Sequence, residues 1–431
     1  MAMFLKLMLL CCVPFFAMAN DAMANDKISG LENSSERHFA ASGYGETQGG
    51  VSNASAIKAN GFVSSFVDLK IDNETKVRGN FAASVGSAAY ESRGSAMAID
   101  DAFISYKNLK YGEIEAGITH PVTEKFRKDA ATIARGSGGI NGDYFRYIAY
   151  GLDSSNMILS PQMPTAGGFA TSNYIGVQNN LGTLQNYFNG ARGAKISAIS
   201  NSFAGFKFGA SFTPSLYDKY TAIGSSQNDL SNLQDVVNNF NTKDSLSLGL
   251  NYQKEITTKL NISISGLYEV GKAERLSQAY AWRERENLKS WSFGGNLQYE
   301  NWHFGGSYIN YGKSLFFKED GTANTMAIAS DGSLSSFGNS YLYNAGISYA
   351  KENWGVSSSY FRGNYMNNES EIVNISFDKT KKTAFGKIMH YVEFAHVSVV
   401  YPNYYKNTAL QINNKTSTFA IFGGVRLFFE K

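Results

Sequence analysis

From about residue 38 onward the chain alternates apolar and polar positions with a period of two. Val77, Phe81, Ala83 and Val85 alternate with Lys76, Arg78, Asn80 and Ser84. Phe206, Phe208, Ala210 and Phe212 alternate with Lys207, Gly209, Ser211 and Thr213. Leu246, Leu248, Leu250 and Tyr252 are interleaved with Ser245, Ser247, Gly249 and Asn251, and the same rhythm returns at 260–270, 291–299 and 341–349. A strand sends successive side chains to opposite faces, so this period predicts strands with one apolar and one polar face. Sixteen are predicted, at 38–48, 60–71, 76–88, 99–108, 112–120, 192–200, 206–213, 244–254, 260–270, 289–300, 302–311, 340–350, 354–362, 370–378, 385–400 and 416–429. Many run to about 10 residues, the length of a tilted bilayer crossing rather than the 5–6 of a soluble strand.

The connections change that picture from sheet to barrel. Short turns fall at 72–75, 109–111, 255–259, 301 and 351–353, and long polar loops at 214–243, 271–288, 312–339 and 401–415. Short turns on one rim and long loops on the other are the signature of an outer-membrane barrel. Tyr252, Tyr299, Trp302, Tyr349 and Trp354 lie beside short turns, where amphipathic rings suit a lipid–water boundary. The period breaks at 229–243, where Leu230, Leu233, Val237 and Phe240 recur at helical spacing and predict a short helix against the rim. The expected fold class is therefore all-β: a transmembrane antiparallel β-barrel of about sixteen strands.

The N-terminus adds an export signal. Lys6 precedes the apolar run Leu7 to Phe16, and Ala17, Met18 and Ala19 have the small-x-small form of a cleavage site. A second such site follows at Ala22 to Ala24. This divides the chain into a cleaved signal peptide at 1–19, a lead-in at 20–37 and a barrel at 38–431. Both cysteines, Cys11 and Cys12, fall in the signal, so the mature chain is expected to hold no disulfide and no thiolate metal site. Composition agrees, with 42 Gly, 26 Tyr and 30 Phe against only 6 Pro. After residue 19 no apolar run reaches the length of a membrane-spanning helix. The formal net charge of +3, or +2 without Lys6, is too small to argue for nucleic acid as a partner.

Three segments resemble the general bacterial porins. Asp101 to Gly117 looks like the porin hairpin that precedes the constriction loop. Ser202 to Ser211 looks like the hairpin that follows it, and Phe422 to Phe429 resembles the closing strand. The family usually ends on phenylalanine, whereas Glu430 and Lys431 follow Phe429 here. The resemblance implies a passive channel for small hydrophilic solutes and ions, embedded in outer-membrane lipids as a homotrimer. It also implies that the long loop at 121–191 folds inward as a constriction loop. The family's acidic motif is not matched in that loop residue by residue.

Candidate chemistry therefore lies in the lumen. Strand phase puts Lys76, Arg78, Glu113, Glu115, Lys195, Lys207 and Arg426 on the polar, inward face. The loop offers Asp129 and Asp143 as acidic groups, with Arg127 and Arg146 nearby. A field between acidic loop and basic wall would orient dipolar solutes, and the local basic surplus predicts a weak anion preference. The rival reading is an outer-membrane barrel hydrolase, which would need histidine with serine or a carboxylate. The five histidines, His38, His120, His303, His390 and His396, form no nucleophile motif. An adhesin-type barrel is the third reading, and the lead-in leaves no room for a passenger. No enzyme activity, catalytic residue, cofactor or metal is expected.

Overall fold

The computed structural model describes residues 38–52, 55–70, 75–86, 96–108, 110–142, 144, 162–166, 194–215, 222–223, 242–273, 286–314, 339–365, 368–383, 386–400 and 415–430. Seventeen strands form one sheet. The first seven are β1 (His38–Ser52), β2 (Ser55–Lys70), β3 (Thr75–Gly86), β4 (Ala96–Asn108), β5 (Gly112–Ile118), β6 (Ala194–Ser200) and β7 (Phe206–Ser215). A two-residue strand, β8 (Ala222–Ile223), pairs with β4. Then come β9 (Thr242–Thr257), β10 (Leu260–Ala273), β11 (Leu288–Tyr299), β12 (Trp302–Gly312) and β13 (Ser340–Lys351). The last four are β14 (Trp354–Tyr365), β15 (Asn368–Thr383), β16 (Gly386–Val400) and β17 (Lys415–Glu430). Setting β8 aside, the sixteen long strands are those the alternation predicts, each within a few residues. The helix expected at 229–243 lies almost wholly outside the described residues.

Each long strand pairs antiparallel with the long strands before and after it, and β1 pairs with β17 from Ser42↔Glu430 to Ser52↔Ala420. That last ladder closes the sheet into a barrel and leaves no long edge to be satisfied by water, as lipid requires. Short turns hold one rim. Ala204, Glu300 and Glu352 each open a two-residue turn in the left-handed region, at φ 51°, 52° and 52°. Such turns match the right-handed twist of the strands they join. The rim is also tied sideways: the Glu300 amide donates to Lys259 O at 2.9 Å, and the Ala350 amide donates to Asn301 O at 2.9 Å.

Burial is inverted relative to a soluble protein. Ile104, Ile114, Ile196, Phe208 and Phe293 are each 55% exposed or more, while Ser245, Ser247, Ser290 and Ser376 are wholly buried. The outer face is thus an apolar band and the inner face is polar, as a bilayer demands. Aromatic rings edge the band. At the short-turn end Trp302, Tyr349, Trp354 and Phe377 form a continuous ladder with centroid separations of 4.8, 5.4 and 6.4 Å. Towards the long-loop end Trp291, Tyr308 and Tyr341 repeat the pattern at 5.5 and 6.3 Å.

Candidate functional site: the lumen and its inward loop

The segment after β5 turns inward instead of rising from the rim. It carries two single-turn helices, α1 (Val122–Lys125) and α2 (Ala130–Ile133). Between residues 122 and 137 it runs along the inner wall from β7 to β16. Wall side chains receive its backbone amides in sequence. The Val122 amide donates to Ser211 Oγ at 2.9 Å, and the Ala130 amide to Asn344 Oδ1 at 3.0 Å. Further on, the Arg135 amide donates to Ser357 Oγ at 2.9 Å, and Ser137 N–H donates to the Glu393 carboxylate. Each such bond contributes about 1 kcal/mol net, and more where the acceptor is charged. The loop could not satisfy these amides internally, because helices this short leave most of their N–H groups unpaired.

Two wall carboxylates act as clamps. Glu269 on β10 is fully buried and accepts from Thr123 Oγ1 at 2.5 Å, from the Thr165 amide at 3.0 Å and from the Thr165 hydroxyl. It thereby joins two parts of the inward loop that are far apart in sequence. Asp378 on β15 is 1% exposed and takes a two-pronged contact from Arg135, at 2.7 Å for each nitrogen.

Above this polar track the loop is held by an apolar core. Ile140, Tyr144 and Met163 pack in one buried cluster with Ile309, Tyr311, Leu342, Phe361 and Ile372 of the wall. Tyr311 also donates its hydroxyl to Gln162 O at 2.6 Å. On β12 to β15 the inner face is therefore not uniformly polar. Its loop-side ends are greasy because protein, not water, covers them.

The sequence pattern of the Gram-negative porins matches residues 16–386. The chain belongs to the Gram-negative porin family. An uncharacterized protein of Rickettsia bellii (strain RML369-C) is 27% identical to this porin over 316 residues, 66% of this chain and 67% of that one. A second, from Rickettsia conorii (strain ATCC VR-613 / Malish 7), is 25% identical over 322 residues with the same shares. Among solved structures, the anion-selective porin from Comamonas acidovorans superposes with a TM-score of 0.51 at 12% identity, covering 91% of this chain and 100% of that one. Salmonella typhi OmpF, solved in complex with daunomycin, superposes at 0.51 and 10% identity, covering 92% and 99%. At such identities the likeness is one of fold.

The porin's predicted charges fall into distinct positions. Lys195 and Lys207 stand on the inner face, in phase with the buried Ser197 and Ser211. Lys195 is buried and donates to Thr119 O, whereas Lys207 is exposed to the lumen opposite Asn251. Glu113 and Glu115 share the inner face of β5, and Glu115 pairs with Lys125 of the loop. Register sets Lys76 opposite Ser105 and Arg78 opposite Phe103. Arg426 faces inward beside Glu46, with Nη2 to Oε2 at 2.7 Å. Asp143 and Arg146 lie outside the described residues.

In the loop, Asp129 is fully buried and caps α2, accepting from the Thr132 amide at 2.9 Å. Arg127 lies between Glu124 at 3.2 Å and Asp129 at 3.1 Å, close enough for ion pairing but without hydrogen-bond alignment. Most loop cations are thus spent on carboxylates. Lys128 and Lys207 have none at ion-pair distance among the described residues. Burial holds the Lys128 ammonium below the ordinary lysine value; Asp129 raises it, and Lys207 lowers it further.

Glu46, Glu269, Asp378 and Glu393 were absent from the predicted site residues. Strand phase marks Glu269 as polar-face, but nothing local says that a loop over a hundred residues away will cap it. The inward Ile309 and Tyr311 do leave a trace, since they break the polar phase of β12.

Proposed function

We propose that this outer-membrane porin is a passive diffusion channel for small hydrophilic solutes and ions, without enzymatic activity, and that it works as a homotrimer after removal of residues 1–19. One observation carries the reading: a closed sixteen-strand wall, apolar outside and polar inside, with a loop folded into its lumen. A barrel of that size leaves an aqueous channel, and the loop narrows it without closing chemistry.

The lumen's residual field favours anions weakly. Glu46, Glu115 and Asp378 are each matched by Arg426, Lys125 and Arg135. Glu269 and Glu393 take neutral hydroxyl and amide donors, which do not cancel their charge, but both are buried against the loop and away from the open bore. Lys128 and Lys207 have no carboxylate at ion-pair distance among the described residues, strand phase puts Lys76 on the same inner face, and Arg78 stands opposite Asp68 in the β2–β3 register. The anion selectivity named for the Comamonas porin agrees in direction.

Purified protein in a planar bilayer should give stepwise, near-ohmic conductance that larger sugars reduce. Hydrolysis of lipid, peptide or ester without any conductance would replace this reading with the barrel hydrolase.

A further inference from the structure

Six inward glycines lie under the loop, one on each of six strands. They are Gly209 on β7, Gly249 on β9, Gly294 on β11, Gly305 on β12, Gly346 on β13 and Gly355 on β14. At each, the place a Cβ would occupy is already taken by the loop. On Gly209 and Gly249 it would lie 2.7 Å from Val122 Cγ1. On Gly294 it would meet the Lys128 carbonyl, and on Gly305 it would lie 2.6 Å from the Asp129 carbonyl. On Gly346 it would lie 2.9 Å from Ala130 Cβ, and on Gly355 it would meet the Arg135 guanidinium. The order along the loop, 122 to 135, follows the order of the strands. Strand glycine is otherwise unfavourable and marks close backbone approach.

The outward faces supply the contrast. Gly266 on β10 points to the bilayer side, between the buried Ser265 and Leu267, and a Cβ there would meet nothing within 4 Å. These six inner-face glycines are thus matched to the loop, position by position, whereas the inner-face Gly50, Gly271 and Gly424 meet only atoms of the wall itself.

We propose that these six glycines are positioning residues for transport: they seat residues 122–135 directly on the wall as a fixed belt, and the depth of that seat sets the bore. The inference rests on the channel reading. The belt is not a hinged lid, because its seat is reinforced by the wall contacts of Ser211, Glu269, Asn344, Ser357 and Asp378. A side chain inserted beneath it has one place to push, which is into the lumen.

Single-channel recording separates the outcomes. Wild-type conductance tests the channel reading by itself. Gly294→Val and Gly305→Val should each lower conductance by about 1.5-fold or more, since a pore's barrier follows its narrowest diameter. Gly266→Val should leave it unchanged. Conductance that stays the same or rises in both inner variants, with the wild type conducting, overturns the belt and leaves the channel standing. Should the inner variants fail to fold, an Ala130→Cys, Gly346→Cys pair gives a second test. Their Cβ positions lie 2.9 Å apart, so a small shift brings them to the roughly 3.5–4.5 Å of a disulfide. A fixed belt predicts that this disulfide forms readily and that oxidised and reduced channels conduct alike. Failure to cross-link, or a conductance that changes on reduction, overturns the proposal.

Discussion

Arg135 of the inward loop grips Asp378 of β15 with both prongs of its guanidinium, Nε to Oδ2 and Nη2 to Oδ1, each at 2.7 Å. The carboxylate is 1% exposed, the guanidinium side chain 31%. The pair anchors the far end of the belt, and Gly136 N–H adds a third contact to the same carboxylate at 3.3 Å. Arg135→Ala would strand a buried charge. Removing one partner of a buried pair costs about 3–5 kcal/mol, less here because Arg135 is partly wet. The variant should lose heat resistance in gel-shift assays of the folded barrel, and Arg135→Ala with Asp378→Asn should recover part of it. Equal stability of Arg135→Ala and wild type would show that the contact anchors nothing.

The closing seam carries a comparable pair. Glu46 on β1 and Arg426 on β17 are direct cross-strand partners in the ladder that closes the barrel. Arg426 also lies over the Tyr44 ring at 5.1 Å, and Tyr391 donates its hydroxyl to Glu46. Arg426→Gln should reduce the folded fraction in refolding assays, because Glu46 is 2% exposed and left without its cation. The exchange Glu46→Arg with Arg426→Glu should restore folding further than either single change. If both singles refold like wild type, the seam does not depend on this pair.

Selectivity is the third prediction. Replacing Lys76, Arg78 and Lys207 together with glutamine should move the reversal potential in a salt gradient toward cation preference. The shift should grow at low salt, where screening weakens. Lys254→Gln, on the exposed outer side of β9, should leave the potential unmoved. A triple variant that inserts and shows no shift would place the narrow part of the pore elsewhere.

The fourth concerns pH. Burial lowers the Lys128 value, with the repulsion of Lys207 adding to it, so its proton leaves at lower pH than that of an ordinary lysine. As pH rises through that depressed value the lumen loses a positive charge, and anion preference should fall before other lysines titrate. Below it Lys128 is charged and the preference is full. Lys128→Gln should remove this step from the pH profile of the reversal potential while keeping any later one. A profile identical to wild type would assign the step to another group.

Much of this molecule is written locally. A strand needs only its own alternation, and a short turn only a few residues. The sixteen long strands, their phase and their short turns could therefore be read along the chain. Inward orientation of Lys195, Lys207 and Arg426 follows from the same phase, because neighbours two apart share a face. The direction of the long loop entered through resemblance to porins and not through periodicity.

What no local pattern holds is the lining of the lumen after the loop has docked. Arg135 meets Asp378 across 243 residues, Thr123 meets Glu269 across 146, and Tyr391 meets Glu46 across 345. Whether an inward charge is free or cancelled depends on such partners, and they become neighbours only when the sheet closes. Phase could say that Arg426 faces the lumen, but only the seam shows it matched by Glu46. Likewise a glycine at 294 or 305 reads as an ordinary weak strand residue until a loop backbone lies on it. The sequence by itself determined the wall, because pleating and lipid act on each residue alone; the tertiary structure decided the bore and its field, because those arise where two distant segments occupy the same space.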